Sequence, residues 1–199
     1  RCVTLCIETK ADWCTKKEIN RMLNQGCTRV ELGVQSIYDT VLKKINRGHT
    51  VADNIRAIQE LKDSALKVGY HMLLGAPGSD NQKDIGMMKE IFDNPDYKPD
   101  ALKIYPCMVF KNTPLYNDWK QNLFTPLTTQ ESIPLISEIK RYVPKYCRIM
   151  RIQRDMATFD SEAGVDRTNL RQYVHEYMKS KNWECQCIRC RQPDQNFRI

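Results

Sequence analysis

Four short apolar runs, each followed by a helical pattern, recur at roughly 35-residue steps along the first half of the chain. This rhythm constrains the fold more than any other feature. Residues 2–9 (CVTLCIET), 28–36, 67–75 (KVGYHMLLG) and 101–109 (ALKIYPCMV) read as strands. Between them, residues 15–25 carry Ile19, Met22 and Leu23 at helical spacing, with Gly26 as a stop. Residues 38–45 read as a short helix, 50–65 put Val51, Ile55, Ile58 and Leu61 on one face, and 82–94 repeat the pattern through Ile85, Met88, Ile91 and Phe92. The strands show no clean alternation of apolar and polar residues, the pattern expected of parallel strands covered on both faces. The expected class is α/β, as an open doubly wound sheet or as part of a barrel.

After residue 110 the rhythm loosens. TTQE at 128–131 is a capping box for a helix reaching Val143, with Pro134 demanding a kink or a later start. Residues 147–154 (CRIMRIQR) read as an alternating strand, with Arg148, Met150, Ile152 and Arg154 on one side and Arg151 opposite. A last helix is expected over 169–180, and a poorly packed tail from Gln192. The domain reading is 1–145 for the barrel and 146–199 for a linker and metal-binding segment.

The net charge of +7 is modest, but Arg141, Lys145, Arg148, Arg151 and Arg154 crowd into fourteen residues. Such a stripe points to a phosphate-rich partner more than the total does. No run of about eighteen apolar residues is present, so no membrane-spanning helix is expected. Nine cysteines, an odd number and mostly scattered singly, imply a reducing, cytoplasmic compartment rather than a disulfide scaffold. The chain starts at Arg1 and enters a strand almost at once, so a longer parent protein is expected.

Several polar groups fall near the strand ends: Glu8 and Gln35 at the ends of the first two strands, His71 within the third, Lys103 within the fourth, and Arg47 in the turn between helices. An unpaired buried polar group costs roughly 1–3 kcal/mol, so their recurrence implies a shared polar cavity at the carboxyl rim of the sheet. Near the end, CQCIRC sets Cys185, Cys187 and Cys190 within six residues. Three thiolates are strong zinc ligands, and zinc wants four. The fourth is open between His175, Cys147 and a residue outside the chain.

TRVELGVQS, LKKINRGHT, YHMLLGAPGSD, PDALKIYP, RIMRIQRD and CQCIRCR occur in this order, after CIETKADWC near the start. The set resembles the catalytic subunit of Elongator, a family of tRNA wobble-uridine-modifying radical S-adenosylmethionine enzymes, over almost the whole chain. The resemblance implies a partial (βα) barrel of the radical S-adenosylmethionine type, incomplete at its N-terminus. It implies that Glu8, Gln35, Arg47 and His71 hold S-adenosylmethionine. It also implies a [4Fe–4S] cluster on cysteines outside this segment, since Cys2, Cys6 and Cys14 have the wrong setting for it. The zinc on Cys185, Cys187, Cys190 and His175 would pin the tail to the barrel. tRNA would contact Lys103, Arg141, Arg148, Arg151 and Arg154. In the family a deoxyadenosyl radical takes hydrogen from the acetyl group of acetyl-coenzyme A, and the carbon radical adds to C5 of the wobble uridine. The acetyltransferase domain that delivers the acetyl group would lie beyond this segment, so the segment alone is expected to be inactive. Other Elongator subunits are expected partners in a eukaryote.

The sequence departs from the family pattern at Lys10–Ala11, Leu74 and the loop over 156–166. Two rival readings are a small-molecule radical enzyme of the coproporphyrinogen-oxidase type and a non-catalytic RNA-binding barrel.

Overall fold

The computed structural model describes residues 2–154 and 161–193. Five parallel strands form one sheet in the order β1 (Cys6–Thr9), β2 (Arg29–Gln35), β3 (Lys67–Leu74), β4 (Ala101–Pro106) and β6 (Arg148–Ile152). The crossovers are α1 (Lys16–Asn24) between β1 and β2, α2 (Asp39–Lys44) and α3 (Val51–Asp63) between β2 and β3, and α4 (Asn81–Asp93) between β3 and β4. Beyond β4 come β5 (Val109–Phe110), α5 (Pro114–Lys120) and α6 (Thr129–Arg141). After β6, β7 (Ser161–Ala163) pairs antiparallel with β5, and α7 (Leu170–Ser180) packs on α6. The result is an α/β layer built on a parallel sheet. The fifth strand lies beyond residue 145, so β6 is a full member of the sheet.

The strands do alternate. Val30, Leu32 and Val34 of β2, Val68, Tyr70, Met72 and Leu74 of β3, and Leu102 and Ile104 of β4 are buried. They join Ala57, Ile58 and Leu61 of α3, Met87, Met88 and Ile91 of α4, and Leu135, Ile136 and Ile139 of α6 in one core. Each large aliphatic side chain so buried stabilises the fold by roughly 1.5–3 kcal/mol. The other face carries Glu31, Gly33 and Gln35, then Gly69 and His71, then Lys103 and Tyr105. Apolar or small residues at some inner positions, such as Gly69, Leu73 and Ala101, conceal the period in the sequence.

Helix starts are set by side chains. Thr15, Asp80 and Thr113 cap α1, α4 and α5, while Thr50 with Asp53 and Thr128 with Glu131 form full capping boxes on α3 and α6. The second box keeps the start of α6 at Thr129 despite Pro134, which the helix carries in its interior rather than starting after it. Asp84 is buried and ties down the turn after β3, accepting from Gly75 N at 2.6 Å and from Ser79 Oγ at 2.6 Å. Gly75 has φ +62°, and a Cβ there would meet Leu127 at 2.6 Å.

The strict alternation expected over 147–154 breaks. The β4–β6 register shifts, so that Arg148 pairs with Ala101 and Arg151 with Lys103, both inner-face positions. Arg151 therefore shares a face with Arg148 instead of opposing it, because Ile149 and Ile152 both turn into the core. Residues 156–160 of the loop over 156–166, and the tail after Pro193, lie outside the described residues. Among the described residues no helix is long and apolar enough to cross a membrane. All nine cysteines are free.

Candidate active site and metal centre

The inner face of the sheet holds two layers of polar groups. In the lower layer Lys103 forms ion pairs with both Glu8 and Glu31. His71 Nε2 lies 3.0 Å from Glu31 Oε2 and 3.9 Å from Glu8 Oε1. Burial would raise the Glu31 carboxyl, but hydrogen bonds from Lys103 and His71 outweigh it and bring it down to about 2. Burial likewise lowers His71, partly opposed by its bond to Glu31. Burial works against the Lys103 charge too, and the two carboxylates more than offset it, so its pKa is raised. Glu8, Glu31 and His71 stand close enough to share a metal ion. The Lys103 ammonium already balances the two carboxylates.

The upper layer is the rim. Gln35, at φ +65°, ends β2 in a left-handed conformation that side chains seldom adopt, beside a register shift in the β2–β3 pairing. Arg47 reaches back and donates from Nη2 to Gly33 O at 3.1 Å. Its Nε is buried with no hydrogen-bond partner. Burial lowers the Arg47 pKa, with Asp12 opposing. A Cβ at position 33 would lie 2.2 Å from Arg47 Nη2 and 2.9 Å from Gln35 Nε2, so any larger residue there would push these two side chains aside. Gln35, Arg47 and His71 line one cavity of about 290 Å³, with Tyr105, Met108 and Arg154. His71 meets Tyr105 edge-on at 5.6 Å, and the Arg154 guanidinium stands 5.9 Å from the same ring.

Of the four positions expected to hold the nucleoside cofactor, three share this cavity, and Glu8 lies beneath it on the Lys103 pair. An orphaned guanidinium nitrogen, an amide and an imidazole around one hollow fit a zwitterionic nucleoside such as S-adenosylmethionine. A guanidinium can fork onto its carboxylate, and amide and imidazole can meet hydroxyls or ring nitrogens. Glu31, Gly33, Tyr105 and Arg154 were missed as contributors to this region. The period-2 spacing of Glu31, Gly33 and Gln35 was the available signal.

Lys103 corrects an expectation. Its side chain is 11% exposed and is held by two carboxylates inside the sheet's curve, so it does not present charge to an RNA surface. Arg154 belongs to the rim cavity, and Arg151 hydrogen-bonds Tyr105 beside it. The arginine stripe thus divides. Arg148 donates to Gln192 Oε1 at 3.0 Å, and Arg141 lies 4.4 Å over the Trp183 ring. Both stand beside the cysteine segment, with Arg189 and Arg191, and Arg191 donates to Lys145 O at 2.6 Å.

Cys2, Cys6 and Cys14 do not converge. Cys14 is buried with its thiol on Lys10 O, and burial pushes it up to about 12, while Cys6 sits beside Glu31, where burial and that carboxylate push it up to about 11. They do not fit an iron–sulfur cluster.

Cys185, Cys187 and Cys190 do converge, their sulfurs lying within 4.8 Å of one another. His175 Nε2 is 3.7 Å from Cys190 Sγ. Zinc bound tetrahedrally to sulfur and imidazole nitrogen sets such an edge at about 3.6 Å, so this pair suits it. Cys147 is buried behind the segment, its carbonyl accepting from Ile188 N at 3.0 Å. The thiols stand near the amino end of β6 and the carboxyl end of α6, whereas the rim cavity lies at the carboxyl ends of the strands.

Two family models match in tandem: the radical SAM superfamily over residues 3–91 and the radical SAM C-terminal domain over 99–180. A tRNA uridine(34) acetyltransferase of Methanocaldococcus jannaschii is 53% identical over 96% of this chain, which spans 36% of that relative. The human Elongator complex protein 3 is 37% identical over 96% of this chain, which spans 35% of it. A solved structure of archaeal Elp3 from Methanocaldococcus infernus, with an N-terminal deletion, superposes with a TM-score of 0.93 at 53% identity. It matches 96% of this chain, which spans 45% of that structure's chain. The chain therefore spans roughly a third of the length of the curated relatives. With its parallel sheet, its rim of polar side chains and these matches along nearly its whole length, the chain belongs to the radical SAM superfamily, in the group of the tRNA uridine(34) acetyltransferases and Elongator complex protein 3.

Proposed function

We propose that this chain is the cofactor-binding core of an enzyme that carboxymethylates uridine 34 of tRNA from acetyl-coenzyme A. The observation that carries this reading is the convergence of Gln35, Arg47 and His71 on one cavity in a chain 53% identical to a tRNA uridine(34) acetyltransferase. When bound, S-adenosylmethionine with an iron–sulfur cluster supplies the radical chemistry. The residues of this chain bind and orient. Arg47 is placed to pair with the cofactor carboxylate, Gln35 with its polar edge and His71 with a ribose hydroxyl or the base. Glu8, Glu31 and Lys103 hold His71 from below in a closed ion-pair group.

Zinc belongs to the same reading, on Cys185, Cys187, Cys190 and His175. Its place is structural: it fixes the segment that carries Arg189 and Arg191 next to Arg148 and Lys145. This grouped positive charge favours tRNA phosphates, with an affinity that falls steeply with salt. Residues 146–199 then act as strand, linker and zinc-bearing segment leading toward an acetyltransferase domain, and nine free thiols fit a cytoplasmic protein. Other Elongator subunits are partners if the source is eukaryotic.

The test is S-adenosylmethionine binding to the reconstituted full-length protein under anaerobic conditions, comparing wild type with Arg47→Ala. The expected result is an affinity loss of about tenfold or more for the variant, with tRNA binding retained. Equal affinity in both proteins overturns the cavity assignment. A full-length protein that binds tRNA but never cleaves the cofactor supports the non-catalytic alternative.

A further inference from the structure

Lys140 is fully buried, one residue from the end of α6, yet it has no carboxylate partner among the described residues. Its Nζ lies 2.8 Å from His175 Nε2 and 3.5 Å from Cys190 Sγ. Two further cations, Arg171 and Arg189, stand near these thiols, while Glu184 lines the same hollow. Arg171 of α7 is part-buried and donates from Nη2 to Ile149 O at 3.1 Å, while its Nη1 is buried with no partner. Arg189 donates to Met150 O at 3.4 Å.

A buried lysine whose near neighbours are thiols, an imidazole and further cations is a costly arrangement, because no carboxylate balances its charge and the two hydrogen bonds replace only part of the hydration it gives up. The cost disappears if the thiols are thiolates on a metal. Three thiolates and a neutral imidazole around a divalent ion leave one net negative charge, and one lysine cancels it. His175 Nε2 has a single lone pair and serves either Lys140 or a metal. A thiolate sulfur has enough lone pairs to bind the metal and still accept a hydrogen bond.

We propose that Lys140 is the buried counter-cation of the zinc site, donating to the Cys190 thiolate and neutralising the excess charge of the metal centre. The proposal rests on the zinc reading above and adds a residue to it. Lys140 is a positioning residue. It touches a ligand and reaches the zinc only through that ligand, as outer partners of metal ligands do.

The experiment uses the full-length protein, with zinc content by metal analysis and zinc affinity by chelator competition. Wild type is expected to hold about one zinc at this segment. Lys140→Met is expected to bind zinc about tenfold to a hundredfold more weakly, and Lys140→Arg to stay within about threefold of wild type. In the cobalt-substituted protein the thiolate-to-metal absorption bands shift in Lys140→Met and much less in Lys140→Arg. If Lys140→Met does not fold, combining it with Cys190→His removes one negative charge and recovers both fold and zinc. A wild type without zinc overturns the metal reading, and the role of Lys140 with it. A zinc-loaded wild type with unchanged affinity in Lys140→Met, or a double variant that stays unfolded and zinc-free, overturns the role of Lys140 alone.

Discussion

Two lysines point into the interior of this chain from opposite ends of the sheet, and their surroundings differ. Lys103 lies between Glu8 and Glu31, which carry the opposite charge. Lys140 lies against His175 and Cys190, with no carboxylate partner among the described residues. The first group is electrically complete within the protein and presents a finished floor to the cavity above it. The second has no such balance among the described residues, and the proposed metal would supply it. A buried charge is informative chiefly through what its neighbours fail to supply.

The largest effect that could break this comparison comes from the lower layer of the rim. Lys103→Met leaves the nearly buried Glu31 without its ammonium, and a buried pair broken on one side costs about 3–5 kcal/mol. Urea unfolding should show a loss near the lower figure, since His71 still donates; a change below about 0.5 kcal/mol would mean the pair is mere surface decoration. The same group fixes the acid response. Glu31 is depressed in the fold to about 2 from an ordinary 4.5, so its contribution is fully present above pH 4.5 and is lost as pH falls toward 2. His71 is lowered from 6.5, so its neutral form is favoured, and its contribution too is lost as pH falls below 6.5. Lys103→Met should flatten the lower of these two windows.

Next in size is the other lysine's region. Cys187→Ser should release the zinc and free the segment bearing Arg189 and Arg191, weakening tRNA binding about tenfold at moderate salt while cofactor binding stays intact. Loss of cofactor binding in that variant would show that the two ends are not independent. Gly33→Ala acts only on the rim. Its Cβ would stand 2.2 Å from Arg47 Nη2, so S-adenosylmethionine affinity should fall about tenfold, with zinc content unchanged. The smallest effect is expected from Arg148→Glu, a few-fold loss of tRNA affinity with the salt slope reduced by about one. Arg151→Glu should disturb the rim instead, because Arg151 hydrogen-bonds Tyr105.

Much of the layout was legible beforehand. The crossover helices lie within one or two residues of where apolar spacing and caps placed them, because both signals are local. α5 and the β5–β7 pair went unread, being short and held by contacts distant in sequence. Gln35, Arg47 and His71 could be named because polar groups in or beside apolar strands stand out and because the family resemblance implies their role. The period-2 spacing put Glu31 on the same face, but its partner could not be read, since nothing local says that Lys103, seventy-two residues later, lies across from it.

By itself the sequence determined a parallel α/β layer, a polar rim and a trio of neighbouring thiols, because these follow from periodicity, strand ends and short spacing. Only the tertiary structure decided which charges meet. The register shift between β4 and β6 turned Arg151 inward, the pairing of β1 through β4 in one sheet gave Lys103 to two carboxylates, and the packing of α6 on α7 drove Lys140 into the thiols. The physical reason is the same each time: a charge far apart in sequence finds its partner only where the backbone brings the two within a few ångströms, and burial makes that meeting decisive.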